Sequence, residues 1–390
     1  MLNKQFACML GVSIAEWFDY IIFILLAKTI NQLFFPQLNT NQSYLVVFSI
    51  FGIGFCARPL GGWLITQYFQ SNKALLLTAM GFGACGILAS ALPTYASVGW
   101  LAGCLLLAIR LAQGMFIGAE FPSLIAASLK NQRSKMVGPL VNCSPAMGVF
   151  IGTIFVSFIS QHISDSEMLS WGWRIMFFSS GCLSLLMFFL RKSILDYGFK
   201  NNNSEKEDRS SLKSFFKIFL FCASSGMSFY VYNIFFVHSL NQTNPNIAPY
   251  VPIFLISAII IGGYIFRNLG NIKTALIGTL IMAVSVYPCF DAIETSNFII
   301  FLPPFSFGLA ISMGALPKYV FNSARGVSKN IAMPYNLCLA VFGAPAISLC
   351  EYFIKLGDKH FPALLLIFLC VVSCASLIIF KEEGEDNGDY

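Results

Sequence analysis

Charge is what this chain has least of. Only 11% of its 390 residues are Asp, Glu, Lys or Arg, where a soluble domain carries about a quarter. Histidine is rarer still. His162, His238 and His360 fall at or near expected outside loops, with no H-E-x-x-H and no clustered carboxylates, so no metal site is expected. No nucleophile elbow is present, and no P-loop G-x-x-x-x-G-K-[ST], which argues against direct ATP coupling. These gaps point away from an enzyme, and no cofactor is expected. There is no C-x-x-C among the twelve cysteines, most of which fall in apolar segments, so no disulfide framework is read. The net charge of +6 forms no basic patch with interleaved aromatics, which excludes a nucleic-acid partner. No A-x-A site follows MLNKQFACML, so the N-terminus reads as a first transmembrane helix rather than a cleaved signal.

Apolar residues fill the space that charge leaves. They make up 57% of the chain, with 40 Phe and a mean hydropathy of +0.72. Many windows exceed the ~18 apolar residues needed to cross a bilayer. The expectation is an all-α integral membrane protein with spans near 7–33, 44–70, 74–93, 98–127, 137–161 and 172–192. Six more follow near 214–239, 248–268, 273–291, 296–318, 329–354 and 361–381. The polar run DYGFKNNNSEKEDRSSLK at 196–213 divides six spans from six. The expected organisation is an N-terminal bundle (1–192), a linker (193–213) and a C-terminal bundle with a short tail (214–390). Lys and Arg set the orientation. With Lys4 inside, so are Lys73, Lys130, Arg133, Lys135, Lys192, Lys200, Lys206, Arg209, Lys213, Lys273, Arg325, Lys329 and Lys381. Expected outside loops near 34–43, 94–97, 240–247 and 292–295 have no Lys or Arg, and only Lys355 and Lys359 break the rule. Both termini are expected on the cytoplasmic side of a bacterial cytoplasmic (inner) membrane. Two six-span halves match transporters that rock around a midplane site.

Against this apolar background, GVSIAEWFDYIIF at 11–23 carries two carboxylates. Glu16, Asp19 and Tyr20 share one helical face, and Asp19 lies roughly 20 Å along its span, near the bilayer middle. Span 2 holds Arg58 before a proline, and span 4 holds Arg110, Gln113 and Glu120 in one sector. A charge at such depth costs ~2.5–3.5 kcal/mol on insertion scales, so each must face the interior and find a partner. Two readings stay open. The charges form buried ion pairs that pin the helices, or at least one carboxylate exchanges a proton as an arginine moves between two conformations and switches its affinity. The proton-coupling candidates are Asp19, Glu120 and Glu16, with Arg58 and Arg110 as charge partners or holders of a substrate carboxylate. Most Phe residues read as lipid-facing bulk. Trp17, Tyr20, Tyr230 and Tyr232 neighbour polar residues and are cavity candidates, together with Gln113. An aromatic wall holds a quaternary ammonium by cation–π attraction.

Several ordered motifs resemble the metabolite:proton symporter family of the major facilitator superfamily, which includes proline/betaine, citrate, oxoglutarate and shikimate carriers. GVSIAEWFDY resembles its G-x-x-x-E-W-Y-D-F, and CARPLGGWL its A-R-P-x-G-G. LPTYASVGWLAGCLLLAIRLAQGMFIGAE, WGWRIMFF and YNLCLAVFGAPA resemble further runs in spans 3–4, 6 and 11. The resemblance implies the major facilitator fold, with Asp19, Arg110 and Glu120 at the family's membrane charges. It also implies that Tyr335 and Asn336 line the second-half side of the path. The sequence departs from the superfamily pattern in two loops. Gln70 and Ser71 replace the Asp and Arg of the loop after span 2, and Arg267 stands at the acidic position of the matching second-half loop. Both lack the carboxylate that latches the cytoplasmic side. Met176 replaces the family's span-6 proline.

GFGACG at 81–86 satisfies G-x-G-x-x-G, but it lies in an apolar span without a preceding strand and reads as helix packing, as does Gly148 with Gly152. Span 5 has no clear G-P-x-x-G-G, the superfamily's antiporter mark. The resulting expectation is proton-coupled symport of a small polar metabolite by alternating access. The partners are that small molecule, protons and the lipid bilayer. A zwitterion, a carboxylate and a small cation all stay open as substrate. An exporter or antiporter, or a sensor that retains the fold without transport, stand as alternatives.

Overall fold

The computed structural model describes residues 4–37, 40–131, 134–198, 211–293 and 296–380. Within them the chain is helical, with no strand. The first six helices are α1 (Phe6–Leu25), α2 (Val46–Tyr68), α3 (Ser71–Ser90), α4 (Leu101–Lys130), α5 (Val137–His162) and α6 (Asp165–Ser193). The second six are α7 (Leu212–Thr243), α8 (Tyr250–Ile265), α9 (Asn271–Asp291), α10 (Ile299–Ser323), α11 (Ser328–Lys355) and α12 (Phe361–Ile379). Eleven are long and apolar enough to span a bilayer. The eighth has 16 residues and is shorter than the span expected at 248–268. The expected linker and tail fall mostly outside the described residues, as do Arg133, Lys200, Lys206, Arg209 and Lys381.

α1 and α7, the first helix of each half, are the most buried, at 78% and 83% of their apolar windows. They form the centre of the molecule, and the remaining helices turn apolar faces such as Leu88, Phe189, Val284 and Val371 outward. Small residues set how closely the helices approach. A Cβ on Gly86 would lie 2.8 Å from the Gly181 Cα, so the GFGACG stretch is where α3 meets α6. A Cβ on Gly148 would lie 2.8 Å from the Trp17 Cβ, and α5 rests on α1 there. Both runs therefore serve close helix contact, for which only a missing side chain leaves room.

Two wide π-helical turns interrupt the second half, at Val231–Phe235 in α7 and Leu339–Gly343 in α11. Such turns cluster at functional sites because they displace backbone groups from the regular ladder. Here both lie beside the space between the halves.

Candidate functional site

Three ion pairs are buried inside the first half. Arg58 Nη2 donates to Glu16 Oε1 at 3.0 Å, tying α2 to α1. Arg110 Nη1 donates to Asp19 Oδ2 at 2.5 Å, and the Ser180 hydroxyl donates to the other oxygen at 2.8 Å. The Arg110 guanidinium also lies 4.0 Å from the Phe23 ring centre and 5.3 Å from that of Phe177. Arg191 grips Glu120 with two nitrogens, at 2.6 and 3.1 Å, while the Thr78 hydroxyl adds a third bond at 2.5 Å. Arg191 spends its remaining donors on the carbonyls of Cys8, Met9 and Leu75.

The three pairs differ in what they leave unused. Glu120 and Arg191 are saturated and join α1, α3, α4 and α6 through a fully bonded knot. Asp19 has both oxygens occupied, whereas Nε and Nη2 of Arg110 have no hydrogen-bond partner. Arg58 likewise keeps Nε and Nη1 without a partner, although it is 3% exposed. Leaving such donors unbonded in a buried place is costly, so they are available to an acceptor that enters.

Only the Glu16–Arg58 pair borders the central cavity. This cavity lies between the two halves and spans about 530 Å³ of space free of atoms, open solvent included. Ser13, Glu16, Trp17 and Arg58 face it from the first half, and Tyr230 and Tyr335 from the second. The buried Tyr230 hydroxyl has no partner and is a second unused polar group there. Aromatic edges form much of the rest. The Trp17 ring is 4.6 Å from Phe229 and 5.3 Å from Tyr230, contacts that cross from one half to the other. Farther along, Phe48 meets His238 at 5.3 Å. On the opposite side, near the start of α1, Asn142 donates to the Met313 carbonyl and Asn336 to the Gly118 carbonyl, both at 2.6 Å. The cavity therefore sits between two layers of contacts that join the halves.

This geometry sorts the residues expected at the site. Trp17, Tyr230 and Tyr335 line the cavity, with Tyr335 stacked on Phe121 at 4.6 Å. Four others expected there do not. Tyr20 packs behind Trp17 among Phe51, Phe55 and Phe82. Tyr232 follows Tyr230 by two residues, inside the wide turn of Val231–Phe235, which carries it to the far side of the helix; its hydroxyl donates to the Val251 carbonyl instead. Asn336 turns toward α4, and Gln113 is buried with neither amide atom bonded. Asp19 and Glu120 also lie away from the cavity lining.

Arg191 was missed because an arginine at the end of a span reads as an interfacial flank. One signal was available: Glu120 and Arg191 sit at similar depth, both near the same membrane face. The degenerate loops also acquire a place. Gln70 precedes α3 with extended backbone, Arg267 lies 4.2 Å from the Tyr264 ring centre, and Lys135 donates to Asn268 at 3.2 Å between the halves.

Residues 6–332 match the family model described as Major Facilitator Superfamily. The chain belongs to that superfamily. Among its relatives are the shikimate transporter of Escherichia coli, 25% identical over 95% of this chain and 92% of that one, and a putative proline/betaine transporter of Staphylococcus haemolyticus, 24% identical over 92% and 83%. The proton:xylose symporter XylE bound to 6-bromo-6-deoxy-D-glucose shares the fold, with a TM-score of 0.73, 14% identity and coverage of 95% and 94%. The chain is thus a multi-pass membrane transporter of small metabolites, and its relatives are carriers rather than enzymes.

Proposed function

We propose that this transporter takes up a small polar metabolite bearing a carboxylate and couples its entry to protons by alternating access. The unused Nε and Nη1 of Arg58, beside Glu16 in a cavity between the halves, carry this reading. A guanidinium holds a carboxylate through two parallel bonds. When the substrate engages Arg58, Glu16 loses part of its counter-charge in a desolvated place and gains affinity for a proton. Proton and substrate are then taken together and released together. Asp19 is a second proton candidate, set back from the cavity lining, where Arg110 too has donors to spare. Glu120 is assigned to holding the bundle, because every bond of its partner is used. The distribution of Lys and Arg supports cytoplasmic termini in a bacterial inner membrane.

Purified protein in liposomes with an internal pH dye tests this reading. Shikimate, proline, betaine, citrate and oxoglutarate are added one at a time. Internal acidification with one of them is expected, lost in Glu16→Gln while substrate counterflow persists. Acidification that survives in Glu16→Gln and disappears in Asp19→Asn would move the proton site to Asp19. Alkalinisation identifies an antiporter, and silence in a correctly inserted sample favours a fold-retaining sensor, in line with the missing carboxylates at Gln70 and Arg267.

A further inference from the structure

Two hydrogen bonds between the halves share one construction. In a regular helix the carbonyl of residue i accepts from the N–H of residue i+4. Four residues after Gly118 stands Pro122, and four residues after Met313 stands Pro317. Proline has no N–H, so both carbonyls lose their helical donor. Each is taken instead by a buried asparagine amide of the opposite half. Asn336 Nδ2 donates to the Gly118 oxygen and Asn142 Nδ2 to the Met313 oxygen, both at 2.6 Å.

The two bonds are also related by the order of the chain. Asn142 lies in α5 and Asn336 in α11, the fifth helix of each half. Met313 lies in α10 and Gly118 in α4, the fourth helix of each half. The first half thus offers an amide and a proline-freed carbonyl, and the second half returns the same two groups. Missing side chains leave the room. A Cβ on Gly62 would lie 2.6 Å from the Gly118 oxygen and 2.8 Å from Asn336 Nδ2, and one on Gly138 would lie 2.7 Å from the Gly314 oxygen.

We propose that Asn142 and Asn336 are paired clasps that hold the halves together at the end where the chain enters α1. They stand in for the loop carboxylates whose places Gln70 and Arg267 take. Both acceptors lack an intrahelical donor, so parting the halves leaves two carbonyls and the amide N–H that each had accepted to be hydrated at once, while Asn336 keeps its bond to the Ala332 carbonyl. Opening toward this end is therefore a joint event, in which both bonds break as water enters.

Cys222 lines the cavity and is buried, which makes it an internal reporter. The test is its modification by a membrane-impermeant maleimide in sealed vesicles of defined orientation, read by mass spectrometry. In Asn142→Leu/Asn336→Leu the rate from the face bearing the N-terminus is expected to rise on the order of tenfold, with no rise from the other face. Each single substitution should give part of that rise, and these variants serve if the double one fails to fold. An unchanged rate in folded protein, or an equal rise from both faces, overturns the proposal. The readout needs neither substrate nor proton, so it stands or falls apart from the symport reading.

Discussion

Glu16 occupies one nitrogen of Arg58 and leaves the other two without a protein acceptor, at the edge of the cavity between the halves. Arg58→Lys keeps the charge but removes the planar fork. Charge-assisted hydrogen bonds contribute about 1.5–3 kcal/mol each, so the Kd of the transported acid should rise roughly 10- to 100-fold. Equilibrium binding to detergent-purified protein measures this. An unaltered Kd removes Arg58 from substrate recognition.

Breaking the saturated knot should cost stability. Arg191→Leu leaves Glu120 buried without its cation, a loss of about 3–5 kcal/mol for a buried pair. Lys192→Leu, at the neighbouring exposed position, should leave stability nearly unchanged. Thermal unfolding of the two variants, side by side, separates a structural cation from an interfacial flank.

Gly148 is where α5 rests on α1. Gly148→Val places branched bulk against Trp17 and should destabilise by about 1–3 kcal/mol, the usual range for overpacking. A lower unfolding temperature and altered Trp fluorescence are the expected signs. A variant with wild-type stability would mean that the two helices tolerate separation.

Cys222 lies on the cavity wall, so a transported substrate should shield it. Prior addition of that substrate should slow Cys222 alkylation severalfold, and Cys222→Ala should make transport resistant to N-ethylmaleimide. Alkylation that ignores the substrate would place binding elsewhere.

Span number and the packing glycines were readable from composition and spacing, because membrane helices must be long and apolar and must satisfy their own backbone. So was the set of costly charges Glu16, Asp19, Arg58, Arg110 and Glu120. Which arginine meets which carboxylate was not readable, since pairing depends on how six helices are arranged and not on any one of them. Arg191 shows this most plainly, as its pairing with Glu120 is visible only once α6 packs on α1 and α3 and brings Arg191 to the carboxylate of α4. Tyr230 and Tyr232 mark a second boundary. Both sit beside polar residues, yet the helical turn sends one to the cavity and the other to Val251. The clasps were written in the chain as two carbonyls with proline four places on, but their donors are contributed by the other half.

At 1.5 Å per residue, the 16 residues of α8 reach only about 24 Å, against a hydrocarbon thickness of about 30 Å. The bilayer must dip beside this helix, or polar headgroups must descend to meet its ends, at a cost of fractions of a kcal/mol per Å. Lipids with shorter acyl chains relieve that mismatch.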